Sequence, residues 1–371
     1  MILAVLFIVF LLPYCASQFS GGGKLFATIT GAENYTLGVI LFAGVTVIYT
    51  LSGGISSLAK VAVVQGAVMI VAVITIYVAT VMGLVDQYGS FSAAMEFVST
   101  NNPALVSANT WDSLYFFGLL IEMTTIALPN GLSPTFTYKK SSTIVRGVVI
   151  STICFSLVQL TMSGLGPLGY ALNPNLSSGD YVVPMLLSSV LPPWMGGIVV
   201  SGVAAAVQST VASFLLIISF SIIEDIYQGI RPNASDATLN RGNKISTLIA
   251  AIIAVIIALY PNENIQLIVN FAIGGICSGF LFPLFFGLYS KRATAASAIW
   301  GLIVGTGVYA MGTVMSDNPL FATVHPVIWG MGSSLVVMLV VMRVTKRVRL
   351  GTLQVWFASQ YDPRYAIPQH K

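Results

Sequence analysis

The sequence predicts an all-α polytopic membrane protein, from the length of its apolar segments and from the placement of Lys and Arg between them. A helix needs about 20 mostly apolar residues to cross a bilayer. Ten segments are long enough, namely residues 2–19, 36–52, 57–84, 112–136, 144–171, 190–223, 245–261, 264–289, 293–314 and 325–343. Because an even number of crossings returns a chain to its starting side, both ends of this chain are expected on one side of the membrane.

The basic residues are concentrated on one side of this topology. They follow the fourth, sixth, eighth and tenth segments: Lys139, Lys140, Arg146, Arg231, Arg241, Lys244, Lys291, Arg292, Arg343, Lys346, Arg347 and Arg349. The opposite loops are acidic, and Lys24 is their only basic residue. The positive-inside rule places the basic loops in the cytoplasm. We therefore expect a multi-pass protein of the cell (plasma) membrane with both ends of this chain cytoplasmic.

The composition excludes the common soluble classes. Of the 371 residues, 56% are hydrophobic and 8% are charged, against about 25% charged residues in soluble domains. The net charge of +4 arises from the short basic loops, so no nucleic-acid partner is expected, and the lipid bilayer is the main one. Cys15, Cys154 and Cys277 lie in apolar segments, where packing explains them. His325 and His370 lie apart from Cys and carboxylate clusters, so neither a structural metal nor an organic cofactor is expected.

The first segment has a second interpretation. Residues 2–12 could form the apolar core of a signal peptide, but no Lys or Arg precedes them and the apolar run continues to Phe19. A signal peptide normally has a basic start. The alternative is that the chain begins inside a helix of a longer architecture.

Several separated motifs carry a family resemblance. In chain order they are Gln18–Leu25 (QFSGGGKL), Tyr49–Gly54 (YTLSGG), Tyr138–Ser141 (YKKS), Ala205–Thr210 (AAVQST) and Glu224–Tyr227 (EDIY). With this order and spacing the chain resembles the sodium:solute symporter family. Within the family it is most similar to the sodium/pantothenate symporters, through Leu191–Pro193, Ile230–Pro232, Asn270–Gly275, Gly287–Tyr289 with Arg292-Ala293, and His325-Pro326.

The resemblance implies a leucine-transporter-like inverted-repeat bundle. Its core has ten helices, five plus five in inverted topology. The first segment here corresponds to core helix 3, the next seven to core helices 4–10, and the last two to flanking helices. Residues 1–345 would then form a single transmembrane bundle and residues 346–371 a cytoplasmic tail. Core helices 1 and 2 have no counterpart in this chain, so we expect the chain as given not to carry out coupled transport by itself.

The sixth segment contains the strongest candidate for a cation site. Alkali cations prefer hard oxygen ligands, and small residues let a neighbouring helix come close to a site on a helix. The stretch Ala204–Thr210 combines small residues with hydroxyl groups. The resemblance implies that the Ala206 carbonyl and the Ser209 and Thr210 hydroxyls bind Na⁺. The alternative is that both hydroxyls only bond back to a carbonyl one turn earlier.

The fourth segment is interrupted by Pro129, Gly131 and Pro134. Such a sequence is typical of the broken helices of secondary transporters, or of an ordinary kink. The resemblance implies solute contacts and an inner gate in and around it. The candidate solute and gating residues are Glu122, Thr124, Thr125, Pro129 and Asn130, together with Gln18 and Asn270 elsewhere. Interhelical hydrogen bonds would equally explain Gln18 and Asn270.

Two departures from the family suggest a relocated ion pair. Relatives usually carry an Asp where this chain has Ala62 and an Arg where it has Pro134. Glu122 is the only carboxylate well inside a segment, and Lys60 is its natural partner. We interpret Lys60 and Glu122 as a coupling pair that shifts coupling from sodium towards protons. The alternative is that Lys60 extends to the lipid headgroups.

These observations favour a cation-coupled secondary transporter. The expected coupling ion is Na⁺ or H⁺, and the expected solute is a small organic molecule, pantothenate or another small carboxylate. No nucleophile or metal cluster indicates an enzyme. The alternatives are a transport-inactive paralogue acting as a membrane sensor or assembly subunit, and a proton-coupled symporter. The sequence does not indicate an oligomeric state.

Overall fold

A computed structural model describes residues 1–30, 32–106, 128–129, 140–176, 178–260, 265–315, 324–346 and the single positions 318, 321 and 348. Within these residues all regular structure is helical, which confirms the all-α class. The described helices contain nine segments long and apolar enough to cross a membrane, and these coincide with nine of the predicted segments. The other, residues 112–136, lies outside the described residues except for Leu128 and Pro129.

The described part of the chain contains ten helices of eight or more residues. They are α1 (Ile2–Thr30), α2 (Tyr35–Tyr88), α3 (Phe91–Asn101), α4 (Ser141–Leu172), α5 (Val182–Ser189), α6 (Pro193–Phe220), α7 (Asp236–Ala258), α8 (Ile265–Tyr289), α9 (Ala295–Val314) and α10 (Pro326–Val344). Local sequence explains several starts: Ser90 and Ser235 cap α3 and α7, and Thr294 forms a capping box with Ser297 at α9. Helix α6 continues into a π-helical turn, Ser221–Tyr227.

One predicted boundary is wrong. Residues 36–52 and 57–84 were expected as two separate helices, but both belong to the single helix α2. Two membrane-length segments, Tyr35–Ser52 and Lys60–Tyr88, remain distinct within it. Glycine in a helix interior costs only about 1 kcal/mol relative to alanine, and no proline lies within α2. The glycine pair Gly53-Gly54 therefore does not end the helix.

The chain divides into two compact units. The first comprises the described residues of Leu3–Thr110 and Ser133–Val269, and therefore α1 to α7 with the start of α8. The second comprises those of Trp111–Leu132 and Asn270–Lys371, and therefore the rest of α8 with α9 and α10. The single bundle and the cytoplasmic tail stay predictions.

In the first unit, glycines let α1 and α2 pack with their backbones close together. The Gly23 Cα would lie 3.1 Å from a Cβ placed on Gly38, and Val39 Cγ2 would lie 2.5 Å from one on Gly23. Phe42 similarly leaves no room for a Cβ on Gly22. Small residues at a crossing are the usual means of close helix packing in membranes. The Gly21–Gly23 run is therefore part of a helix interface.

Two hydrophobic clusters hold the remaining helices of the first unit. The larger joins α1, α2, α4, α5 and α6 through Leu25, Ala72, Ile76, Leu165, Leu186, Leu187, Leu191 and Val199. The smaller fixes α3 against α2 and α4 through Leu84, Ala94, Val98, Leu168 and Ala171. Between membrane helices such clusters stabilise through van der Waals packing rather than through the hydrophobic effect. These contacts position α6 against α1, α2 and α4, where the candidate site lies.

Candidate cation site and adjoining cavity

The three groups predicted to bind a cation lie within one turn of α6. Ser209 Oγ donates to the Ala206 carbonyl oxygen at 3.0 Å, and Thr210 Oγ1 donates to the same oxygen at 3.2 Å. All three residues are partly buried. These are the back-bonds that Ser and Thr commonly form in membrane helices. The same bonds hold two hydroxyl oxygens beside the carbonyl, as a cation site would require. Simple back-bonding and a cation site without its ion therefore have the same geometry, and the set of cation ligands stays a prediction.

Helix α2 contacts α6 on either side of this turn. One turn before Ala206, a Cβ on Gly202 would collide with the Ala72 side chain. Within the turn, the Tyr49 hydroxyl donates to the Gln208 carbonyl oxygen at 2.6 Å. The back-bonds of Ser209 and Thr210 use the Ala206 carbonyl, so the Gln208 carbonyl is available to accept from Tyr49. The close approach expected from the small residues therefore occurs, with its tightest point at Gly202.

A cavity of about 360 Å³ adjoins the candidate cation site. Its walls come from α1, α2, α4, α5 and α6 and include Gly21, Met69, Val158, Val199 and Ala206. Among the described residues that line it, Asp180 is the only ionisable one. Pockets of about 300–1,000 Å³ with mostly apolar walls and a few polar groups are typical of small-molecule sites. Ala206 belongs both to the wall of this cavity and to the set of predicted cation ligands.

A buried ion pair lies beside this cavity. Lys24 Nζ is 2.7 Å from Asp180 Oδ2, and the two side chains are 7% and 19% exposed. The same carboxylate oxygen accepts from the Ile265 amide at 3.4 Å, and the Tyr181 ring lies 5.7 Å from the ammonium. Asp180 thus connects α1 to the start of α8. Burial of both charges is tolerable because they are paired and hydrogen-bonded.

Sequence analysis missed this pair, although one signal was present. Lys24 is the only basic residue in the predominantly acidic loops, and such an exception suggests a specific partner. Those loops contain several acidic residues, Glu33, Asp86, Glu96, Asp112, Asp180, Glu263 and Asp317. Asp180 lies 156 residues from Lys24 along the chain, so only the folded structure brings the two together. Charge patterning alone therefore could not identify it.

The other predicted residues have separate surroundings. Gln18 is half-buried on α1. Asn270 lies on α8 in the second unit, where its carbonyl oxygen accepts from the Tyr309 hydroxyl at 3.3 Å. Lys60 is exposed on α2, as expected if it extends towards headgroups. Pro129 is partly buried beside the buried Leu128.

Four of the predicted residues fall outside the described residues. They are Glu122, Thr124, Thr125 and Asn130. The pairing of Lys60 with Glu122 and the solute contacts of the fourth segment therefore stay predictions, as does the loss of the family's Arg at Pro134. Among the described residues, no group of three or more His, Cys, Asp or Glu could hold a metal ion.

Comparison with known proteins identifies the family. Residues 1–305 match the Sodium:solute symporter family. The chain belongs to the sodium:solute symporter family. It is 32% identical to the Sodium/pantothenate symporter of Escherichia coli (strain K12) over 331 residues, which are 87% of this chain and 67% of that protein. It is 31% identical over 302 residues to the Sodium/pantothenate symporter of Haemophilus influenzae, covering 79% of this chain and 61% of that protein.

A proline transporter is also similar. The Sodium/proline symporter of Haemophilus influenzae is 31% identical over 325 residues, which are 81% of this chain and 62% of that protein. The chain thus spans between 61% and 67% of the length of these three relatives. Relatives named for different solutes at nearly equal identity do not distinguish pantothenate from proline.

A solved structure confirms the fold. The substrate-bound, outward-open structure of a Na⁺-coupled sialic acid symporter superposes with a TM-score of 0.74 at 17% identity. The match covers 94% of this chain and 75% of that one. At this identity the likeness concerns the fold alone, which agrees with the fold that the motifs imply for a sodium:solute symporter.

Proposed function

We propose that this chain forms the greater part of a sodium-coupled symporter for a small organic solute. The observation that carries the proposal is the convergence of the Ser209 and Thr210 hydroxyls on the Ala206 carbonyl, in the turn that borders the cavity. Hard oxygen atoms are the ligands that small cations prefer. A cation at this turn would interact with the two hydroxyl oxygens and the carbonyl in place of the back-bonds.

The shared residue Ala206 suggests how ion and solute are coupled. A cation that orders the turn at Ala206 also orders one wall of the 360 Å³ cavity. A solute bound there would then bind more tightly with the cation present, and by linkage the cation would bind more tightly with the solute present. The proposed solute is pantothenate or another small carboxylate, supported by the names of two relatives.

We place the protein in the cell membrane with both ends of this chain in the cytoplasm. This orientation rests on the basic loops, since Lys and Arg near membrane segments favour the cytoplasmic side. The Lys24–Asp180 pair then lies at the outer end of the first unit, beside the cavity. No observation on the described residues favours the sensor or assembly-subunit alternative.

The proposal is tested with the double variant Ser209→Ala/Thr210→Ala. Ser201→Ala is a matched control, because the Ser201 hydroxyl makes the same back-bond to Gly197 at 2.8 Å on the same helix. Sodium binding is measured by the thermal stability of the purified chain as NaCl replaces choline chloride. The same sodium titration is repeated with pantothenate or with proline present, since the chain by itself is not expected to carry out coupled transport.

We expect the half-stabilising sodium concentration to rise roughly tenfold or more in the double variant, since hydrogen bonds or contacts to a charge are each worth about 1.5–3 kcal/mol. The Ser201→Ala control should match the unmodified chain. Unchanged sodium dependence in the double variant would contradict the proposed site. Sodium binding that neither solute tightens would leave the cation site standing and refute the solute assignment.

A further inference from the structure

Tyr49 joins helix α2 to the turn of α6 that carries the candidate cation ligands. Its hydroxyl donates to the Gln208 carbonyl oxygen at 2.6 Å, and the side chain is partly buried. This carbonyl belongs to the planar peptide group that ends at the nitrogen of Ser209. The bond therefore fixes the orientation of the peptide group directly before a predicted cation ligand.

A side chain also holds the peptide group that follows Ser209. Ser213 Oγ donates to the Ser209 carbonyl oxygen at 2.9 Å. This bond is made within α6, between residues four positions apart, whereas the Tyr49 bond comes from another helix. Of these two bonds, only the one from Tyr49 can set the position of Ser209 relative to α2.

Both membrane-length segments of α2 contact this part of α6. Tyr49 lies in the first segment, and Ala72, which packs against Gly202, lies in the second. On a straight helix with a rise of about 1.5 Å per residue, Tyr49 and Ala72 would lie about 35 Å apart. Their contacts on α6, at Gln208 and Gly202, lie only about 9 Å apart by the same measure. Helix α2 therefore bends between the two contacts, so that both of its segments pack against α6.

Gln65 connects the second segment of α2 to Tyr49. Its side chain forms a hydrogen bond with the Tyr49 hydroxyl. On a straight helix the two residues would lie about 24 Å apart, out of hydrogen-bonding reach, so this bond also requires the bend. A phenolic hydroxyl has one proton, which Tyr49 gives to the Gln208 carbonyl, so the Gln65 carboxamide donates to the Tyr49 oxygen. The hydrogen bonds thus run from Gln65 through Tyr49 to the peptide group before Ser209.

We propose that Tyr49 is a positioning residue for the coupling cation. Its hydroxyl holds the peptide group before Ser209, and thereby Ser209 Oγ, in the place that cation binding requires. Ligands of a binding site have to be held within about 0.5 Å of their working positions. Groups that orient metal ligands through hydrogen bonds are worth about 10–100-fold in metal affinity. This inference rests on the proposed cation site, and it assigns Tyr49 no contact with the cation itself.

Sodium titrations of Tyr49→Phe test this role, because the change removes the hydroxyl and keeps the ring. The thermal stability of the purified chain is measured as NaCl replaces choline chloride. Tyr88→Phe is the matched control, because Tyr88 also lies on α2 and donates to a carbonyl of a neighbouring helix, that of Ala171 on α4, at 2.8 Å. Both variants lose one hydrogen bond between helices, so both should melt at a lower temperature without sodium. Only Tyr49→Phe should raise the half-stabilising sodium concentration, by about tenfold.

A double-variant cycle separates positioning from a general loss of stability. If Tyr49 acts through Ser209, Tyr49→Phe should change the sodium dependence much less in a Ser209→Ala chain than in the unmodified chain. Additive effects of the two changes would overturn the proposal, as would equal shifts in sodium dependence for Tyr49→Phe and Tyr88→Phe.

The same titrations distinguish a failure of this inference from a failure of the proposed function. If Ser209→Ala/Thr210→Ala shifts the sodium dependence and Tyr49→Phe does not, the cation site stands and the role of Tyr49 is refuted. Unchanged sodium dependence in all of these variants would refute the cation site, and the role of Tyr49 with it.

Discussion

Two serine hydroxyls in the second unit, on Ser278 and Ser334, are fully buried and have no hydrogen-bond partner among the described residues. Glycines surround them: a Cβ on Gly330 would lie 2.7 Å from Ser278 Oγ, and one on Gly301 would lie 3.3 Å from Ser334 Oγ. A buried polar group without a partner costs about 1–3 kcal/mol. These side chains therefore destabilise the crossing of α8, α9 and α10 while their small size permits it.

We predict that Ser278→Ala and Ser334→Ala each raise the thermal stability of the purified chain, because the change removes an unsatisfied hydroxyl and little volume. Ser219→Ala is the control. It is equally buried, but its hydroxyl donates to the Asn243 carbonyl at 2.7 Å, so its removal should lower the melting temperature. A fall in melting temperature for Ser278→Ala and Ser334→Ala would show that both hydroxyls are paired.

We expect the burial of His325 to make the free energy of unfolding depend on pH. It lies just before the membrane span of α10, is 7% exposed, and its Nδ1 accepts from the Val327 amide at 3.3 Å. Burial lowers the pKa of His325 from 6.5 to about 4. The unfolded chain therefore binds a proton at a higher pH than the folded chain does. We therefore expect the contribution of His325 to stability to be fully present above pH 6.5 and to be lost as the pH falls towards 4.

We predict that His325→Asn weakens this loss, because Asn also caps helix starts but does not ionise. The melting temperature of the purified chain is compared between pH 7.5 and pH 4.5. His370→Asn, at the chain's only other histidine, is the control and should leave the pH dependence unchanged. If the melting temperature of His325→Asn depends on pH as strongly as that of the unmodified chain, other groups cause the pH dependence.

At the scale of helices, glycines have different roles according to their neighbours. On α6, a Cβ at Gly202 would overlap Ala72 of α2, whereas a Cβ at Gly197 would have no atom within 4 Å. The two glycines lie on the same helix and differ by five positions. Only Gly202 is needed for the approach of α2 to the candidate cation site.

We predict that Gly202→Ala destabilises the chain by about 1–3 kcal/mol through overpacking, and that it also weakens sodium binding because Ala206 lies one turn away. Gly197→Ala should be neutral or stabilising, since alanine favours the helix by about 1 kcal/mol. Melting temperature and sodium-dependent stabilisation measure the two effects. Equal stability of the two variants would show that α2 and α6 are farther apart than described.

At the scale of the whole molecule, the distribution of charge predicts the orientation in the membrane. The acidic loops and the buried Lys24–Asp180 pair belong to one predicted face. The basic residues belong to the other, including Arg231 between α6 and α7 and Arg241 near the start of α7. This distribution predicts the cytoplasmic location of both ends of this chain.

We predict that Asn175→Cys, between α4 and α5, reacts with a membrane-impermeant maleimide on intact cells. Asn233→Cys, between α6 and α7, should react only after the membrane is permeabilised. Both positions are exposed, and the native cysteines are replaced by alanine in both variants. Labelling of Asn233→Cys on intact cells would reverse the proposed orientation.

Much of the fold and part of the candidate site followed from the sequence. Apolar length predicted nine described spans because the bilayer imposes a minimum helix length. The AAVQST motif predicted cation ligands; its two hydroxyls donate to the Ala206 carbonyl, and their binding of a cation stays a prediction. Apolar length could not show that residues 36–52 and 57–84 lie in one continuous helix, α2. The spacing of residues in the motif could not show whether the Ser209 and Thr210 hydroxyls only form back-bonds or also bind a cation, since both arrangements have the same local geometry.

What the sequence determined by itself was therefore the class, the spans and the family, because these depend on local hydrophobicity and on motifs of a few residues. Only the tertiary structure decided which distant residues meet. It paired Lys24 with Asp180, placed Ala72 against Gly202, and joined Ala206 to a cavity. Such contacts depend on how helices far apart in the chain pack, and no local pattern encodes that packing.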